Sequence, residues 1–126
     1  MGRYAFFNTG FEYKFWFGVQ DSEDITRFGG VSSSDDDDNY KQTWQKEDKE
    51  YVLQALRLFE RRHGIAALDP SPYEANLDGT QRLLDLFCGS LFDEYLSEKT
   101  QAYYCLGWII YHQLMYEPNL SCNYEL

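Results

Sequence analysis

Residues 4–17, YAFFNTGFEYKFWF, contain two aromatic-rich runs that are separated by a short turn segment ending in Gly10. Because glycine adopts the positive φ that a tight turn requires, this pattern predicts a β-hairpin over residues 3–19. The second run alternates aromatic residues with a mixed set, so we expect one apolar face that includes Phe15. A two-stranded hairpin is marginal in water, and this face must therefore pack on other elements of the protein.

Apolar residues recur at helical spacing in three longer segments downstream, and this periodicity predicts a helix in each. The segments are Trp44–His63, with Thr43 as its N-cap, Thr80–Leu96, and Thr100–Tyr116. Ser71 begins a Ser-Pro-Tyr-Glu capping box, which predicts a further short helix up to Asp78. The last long segment is apolar nearly all round and is expected to be a central buried helix. A strand is the alternative, because Tyr, Ile and Trp also favour sheets.

Gly89 and Gly107 lie inside the last two helical patterns. A glycine in a helix interior costs about 1 kcal/mol relative to alanine, so a compensating gain is expected at each position. The simplest gain is a close approach of the two helices. The sequence therefore predicts that these helices cross at Gly89 and Gly107.

The chain has 126 residues, of which 44% are hydrophobic, and this size and composition predict a single domain. We expect the α+β fold class, with an N-terminal aromatic β-hairpin packed on a bundle of about three helices. The predicted organisation of residues 1–126 is a hairpin at 3–19, an acidic and partly mobile loop at 20–42, a helical part at 43–117, and a tail at 118–126.

The net charge of −10 is unevenly distributed along the chain. Residues 20–40 hold seven acids and one base, a local sum of −6, which leaves −4 for the rest. Four of these acids, Asp35, Asp36, Asp37 and Asp38, follow glycines and serines, a composition that predicts a mobile loop over residues 32–39. A mobile acidic segment accelerates association with a basic surface, so we expect an interaction loop that contacts a basic protein partner.

Three serines precede the acidic run, and each has an aspartate three residues downstream. Ser32, Ser33 and Ser34 therefore match the pattern that an acid-directed kinase reads. A phosphate adds about −1.5 to −2 charges at neutral pH. We expect phosphorylation of these serines to strengthen binding to a basic partner, with an unmodified solvated linker as the alternative.

A local basic cluster, Arg57, Arg61 and Arg62, lies near the end of the first predicted long helix. Its expected role is to solvate the helix end or to pair with the acidic loop.

Direct binding of nucleic acid is disfavoured, because neutralisation of phosphates normally supplies most of the affinity and this chain is acidic. Mimicry of nucleic acid by the acidic surface is an alternative function.

The sequence contains no recognisable catalytic, cofactor-binding or metal-binding motif, so we predict neither a cofactor nor a metal site. A nonenzymatic interaction or regulatory protein is the leading interpretation. The alternative is a small enzyme whose site is assembled from residues distant in sequence, with Cys88 or His63 as the reactive group. Such a site would require a pocket beside the hairpin.

Three cysteines without a repeated spacing favour free thiols and a reducing compartment. The first residues lack the features of a secretory signal, and the apolar stretches are too short to span a bilayer. These observations predict a protein of the cytoplasm or nucleus that is neither secreted nor bound to a membrane.

The opening stretch Tyr4–Gln20, followed by Ser22–Ile25 and Phe28–Gly30, resembles small uncharacterised proteins encoded by large DNA viruses. The resemblance covers roughly the first quarter of the chain. It implies a viral accessory role in the interior of a host cell. It includes no catalytic motif, and no functional residue is transferred from it.

Overall fold

The computed structural model describes residues 4–16, 19–34, 39–88 and 96–125. Within these ranges, five strands form one antiparallel sheet in the order β2-β1-β5-β4-β3. The strands are β1 (Tyr4–Phe7), β2 (Glu12–Lys14), β3 (Val31–Ser34), β4 (Asn39–Gln45) and β5 (Asn119–Glu125). The helices are a 3₁₀ helix (Ser22–Phe28), α1 (Asp48–His63), α2 (Leu77–Cys88) and α3 (Glu98–Leu114). The helices pack against the sheet, which confirms the α+β class.

The predicted N-terminal hairpin forms, but its strands, Tyr4–Phe7 and Glu12–Lys14, cover less of the chain than the predicted residues 3–19. Strands β1 and β2 pair antiparallel with Ala5 opposite Tyr13, and Gly10 in the turn has a φ of 96°. Tyr13 and Phe15 are almost completely buried, because this face of the hairpin contributes to the core. Phe17, which ends the second aromatic run, lies outside the described residues.

Helix α3 is the central buried element of the helical layer. It contacts α1, α2, the 3₁₀ helix and β5, and most of its residues from Ala102 to Leu114 are buried. Ser97 caps its N-terminus by accepting a hydrogen bond from the amide of Thr100. The apolar surface on all sides therefore specifies a buried helix, and the strand alternative is wrong.

The segment 20–42 is more regular than the predicted loop. Ile25 and Phe28 are fully buried and hold the 3₁₀ helix on the core, as their apolar character suggests. The mobile loop predicted for residues 32–39 is wrong at both described ends, because Val31–Ser34 pairs with β4 and Asn39 belongs to β4. Asp35–Asp38 lie outside the described residues, and their predicted mobility stays a prediction.

Strand β4 replaces the predicted start of the first long helix. Thr43 is paired in β4 and is not an N-cap, and α1 begins only at Asp48. The indole of Trp44 is fully buried and donates to the carbonyl oxygen of Phe28 at 3.2 Å. The buried side chain of Trp44 therefore stabilises an extended backbone at a position where the spacing of apolar residues predicts a helix.

Two other predicted boundaries are wrong. Residues from Ser71 form turns instead of a short helix, and α2 begins at Leu77, where Asn76 caps it by accepting a 2.8 Å hydrogen bond from the amide of Gly79. The predicted tail is β5, the middle strand of the sheet, which pairs with both β1 and β4. Long-range pairing, which no local pattern reports, stabilises this strand.

Gly107 is a point of close approach, but its partners differ from the prediction. A Cβ on Gly107 would lie 2.5 Å from Phe28 Cε1 and 2.7 Å from Leu56 Cδ2. The glycine therefore lets α3 approach α1 and the 3₁₀ helix. The proposed crossing partner, Gly89, lies outside the described residues.

Candidate functional site

Strand β3 is the edge strand from which the acidic run continues along the chain. In the described part of the protein, β3 pairs only with β4, so its other backbone edge is open. All four of its residues are exposed, and Val31 retains 71% of its accessible surface. An open edge presents unpaired N–H and C=O groups to which another extended chain can pair.

A chain of side-chain hydrogen bonds holds β3 on the sheet. The hydroxyl of Ser32 donates to Gln42 Oε1 at 2.5 Å, and the amide nitrogen of Gln42 donates to the carbonyl oxygen of Gly29 at 2.6 Å. Gln42 is buried, so this network fixes the register of the edge strand. Ser33 lies opposite Lys41 and belongs to the other face of the sheet.

That other face of the sheet is exposed and combines polar side chains with two aromatic rings. Tyr4 and Phe6 stack at a centroid distance of 5.9 Å, and they remain 37% and 49% exposed. Lys14 and Asn123 are their cross-strand neighbours. Because β1 is a run of aromatic residues on both faces of the strand, the sequence pattern does not show which of its rings are exposed and which are buried.

A separate surface feature lies between the 3₁₀ helix, α1 and α3. It is an open cleft of about 420 Å³, and cations and aromatic rings dominate its walls. The lining residues are Asp24, Arg27, Ala55, Leu58, Phe59, Arg62, His63, Lys99, Thr100 and Tyr103. They come from three elements that are far apart in sequence, so no motif predicted the cleft.

One of the cations in the cleft is internally paired. Arg27 Nε donates to Asp24 Oδ1 at 2.8 Å, and this carboxylate raises the pKa of Arg27. Burial raises the pKa of the Tyr103 hydroxyl, while the positive charges of Arg27 and Arg62 act in the opposite direction. The phenol therefore lies within the electrostatic influence of both guanidinium groups.

The predicted basic cluster divides into three different environments. Arg57 donates to Glu60 Oε1 at 2.9 Å and to the carbonyl oxygen of Leu68 at 3.0 Å. Its guanidinium also lies over the ring of Trp108, at 5.4 Å from the centroid. Arg61 is exposed, whereas Arg62 lines the cleft. The structure therefore does not bring these arginines together as one surface.

Glu60 is a buried carboxylate that anchors the connection between α1 and α2. Besides Arg57, it accepts hydrogen bonds from the amide of Leu68, at 2.8 Å, and from the hydroxyl of Tyr104. Burial is the main cause of the raised pKa of Tyr104, and the hydrogen bond to Glu60 adds to it. Because all three donors stabilise the folded chain, this network is structural.

Thr80 and His112 form a hydroxyl–imidazole pair that the sequence analysis did not identify. Thr80 Oγ1 lies 2.6 Å from His112 Nδ1 and 2.8 Å from the hydroxyl oxygen of Tyr116. Thr80 and His112 have no accessible surface, and burial lowers the pKa of the imidazole. A nucleophile must reach its substrate, so this pair joins α2 to α3 and does not constitute an active site.

The cysteines and His63 do not form a reactive pair in the described part of the chain. Cys122 is a buried free thiol, as predicted, and burial raises its pKa to about 12, while Cys105 is also buried. His63 lines the cleft with its ring 4.4 Å from that of Phe59. The side chain of Cys88 lies outside the described structure, so its catalytic role stays a prediction.

The described residues contain no group of three His, Cys, Asp or Glu side chains that could hold a metal ion. None of the helices within the described ranges has the length and apolar character needed to cross a bilayer. Comparisons with protein-family models, curated proteins and solved structures gave no match. The α+β fold and the two surface features are therefore the basis for assigning a function.

Proposed function

We propose that the protein is a nonenzymatic interaction module that binds a basic, extended segment of a partner protein along β3. The observation that carries this proposal is the edge position of a fully exposed strand. A partner segment adds to such an edge through backbone hydrogen bonds, and its side chains supply the specificity.

Charge selects a basic occupant. The four carboxylates Asp35–Asp38 follow β3 directly in sequence and account for most of the local negative charge. They attract lysines and arginines of an approaching segment, chiefly by raising the association rate, and salt screens this attraction. The other edge strand, β2, has only three residues and includes Lys14, so it is a poorer acceptor of a basic segment.

An interaction module of this kind suits the accessory role that the viral resemblance implies. We place its action in the cytoplasm or nucleus, where the free thiol of Cys122 remains reduced. Recognition then requires neither a cofactor nor direct contact with nucleic acid. Phosphorylation at Ser32–Ser34 would increase the charge beside the edge.

The proposal is tested with a fluorescein-labelled peptide of alternating lysine and valine, using an otherwise identical glutamate–valine peptide as the charge control. Fluorescence anisotropy at low salt should show binding of the lysine peptide alone, weakening as salt is added. Replacing all four of Asp35–Asp38 by Asn should weaken binding about tenfold.

A matched variant neutralises four exposed acids outside β3 and the acidic run, and it should retain the affinity of the native protein. Its substitutions are Glu47→Gln, Asp78→Asn, Asp85→Asn and Glu98→Gln. Equal losses of affinity in the two variants would indicate that peptide binding depends only on the net charge of the protein. Unchanged affinity after neutralising Asp35–Asp38 would remove the acidic run from the interaction.

A further inference from the structure

The cleft between the 3₁₀ helix, α1 and α3 has a charge opposite to that of the whole protein. Arg27, Arg62 and Lys99 line it together with one carboxylate, Asp24, which gives a formal charge of +2 from three cations and one anion. The protein as a whole carries −10. In the described ranges Arg27 is paired with Asp24, whereas neither Arg62 nor Lys99 forms an ion pair.

An aromatic wall lies beside these cations. The rings of Phe59 and Tyr103 are nearly parallel, with centroids 5.5 Å apart and an interplanar angle of 26°. Leu58, on the same helix as Phe59, is 49% exposed at the cleft. The faces of Phe59 and Tyr103 already pack on Tyr104 and Phe28, so a planar ring can add to this surface by edge-to-face contact or by stacking on a guanidinium plane.

The cleft has the size and the two kinds of group that a small-molecule site requires. Its volume of about 420 Å³ lies within the range of ligand pockets, which combine apolar walls with a few polar groups. A phosphate monoester carries about −1.5 to −2 charges at neutral pH. This charge is opposite in sign and similar in magnitude to the formal charge of the residues that line the cleft. Guanidinium groups also match the geometry of phosphate oxygens.

We propose that this cleft is a binding site for a small molecule that joins a planar aromatic ring to a phosphate monoester. The ring lies against Phe59 and Tyr103, and the phosphate lies between Arg62 and Lys99. This site is separate from the β3 edge and uses none of its residues. Its failure or success is therefore independent of the proposed interaction function.

The experiment titrates the full chain with AMP as the ring-plus-phosphate probe and follows backbone amide shifts by NMR. Adenosine supplies the ring without the anion, and inorganic phosphate supplies the anion without the ring. AMP should shift the amides of Phe59, Thr100 and Tyr103, and it should bind at least about tenfold more tightly than adenosine or phosphate.

The variants Arg62→Gln and Lys99→Gln should each weaken AMP binding about tenfold. Arg61→Gln is the matched control, because Arg61 adjoins Arg62 but is not among the residues that line the cleft. Equal weakening by Arg61→Gln overturns the proposal, as does phosphate that binds as tightly as AMP. Absence of cleft shifts at millimolar AMP, or shifts centred on Tyr4 and Phe6, also overturns it.

Discussion

Gly107 lies so close to Phe28 that a Cβ added to the glycine would be 2.5 Å from the phenyl Cε1 atom. The same Cβ would lie 2.7 Å from Leu56 Cδ2. Three elements thus meet at one glycine: α3, α1 and the 3₁₀ helix that precedes β3. This contact fixes the 3₁₀ helix, and with it one wall of the cationic cleft.

Changing Gly107 to Leu should reduce the free energy of unfolding by about 1–3 kcal/mol, because the added side chain overpacks this contact. Chemical denaturation followed by circular dichroism measures the loss. Gln54→Leu, an exposed substitution on α1, should change the stability by no more than about 0.5 kcal/mol. A Gly107→Leu protein as stable as the native one would contradict the packing described at Phe28 and Leu56.

The two faces of the hairpin predict opposite sensitivities to truncation. Phe15→Ala should cost about 3–5 kcal/mol, because that ring is 2% exposed in the core. Phe6→Ala should cost only about 1 kcal/mol, since the ring is 49% exposed and mainly stacks on Tyr4. Denaturant unfolding of the two variants compares them directly. Similar losses would mean that the sheet does not separate a buried face from an exposed one.

His112 should make stability depend on pH below neutrality. Burial lowers its pKa in the folded protein below the ordinary value of 6.5, so the unfolded chain binds the proton more readily. The stabilising contribution is complete above that value and decreases as the pH falls from 6.5 toward the folded pKa. The free energy of unfolding should therefore decrease as the pH is lowered from 8 to 5.

The variant His112→Gln should flatten this decline, whatever its absolute stability, because the titrating group is gone. Gln54→Leu, an exposed substitution on α1, is the control and should keep the native slope, because it removes no titrating group. An unchanged slope in His112→Gln would show that other groups cause the pH dependence.

Of the candidate phosphorylation sites Ser32 and Ser33, Ser33 should be modified first by an acid-directed kinase. It lies on the exposed face of the sheet opposite Lys41, whereas the hydroxyl of Ser32 is engaged by Gln42. Site-resolved mass spectrometry measures the order, with Ser33→Ala as the control. The modified protein should bind the lysine–valine peptide more tightly, because each phosphate adds about −1.5 to −2 charges. Modified protein with unchanged affinity would make the phosphorylation irrelevant to binding.

The elements that the sequence predicts best have strong local patterns. The hairpin has a turn glycine between aromatic runs, and α3 is apolar on nearly every side. Strand β5 was missed because its outward positions, Asn119, Ser121 and Asn123, are polar and its inward set is short. Its place in the middle of the sheet depends on pairing between the two ends of the chain.

The surface features were predicted unevenly for a related reason. The acidic run is contiguous and is recognisable in the sequence, but the edge strand beside it reads Val-Ser-Ser-Ser and lacks an apolar alternation. The cleft collects Arg27, Arg62 and Lys99 from three elements through tertiary packing. The approach at Gly107 was expected, yet its partners Phe28 and Leu56 depend on the same packing.

The most direct test of the interaction function is an NMR titration of the isotopically labelled protein with the lysine–valine peptide at low salt. The predicted result is a set of shifts at the amides of Val31–Ser34, with slower hydrogen exchange there and little change at the β2 edge, Glu12–Lys14. Binding that shifts the β2 edge or the helices, and leaves the amides of Val31–Ser34 unchanged, would contradict the proposal that β3 receives the partner.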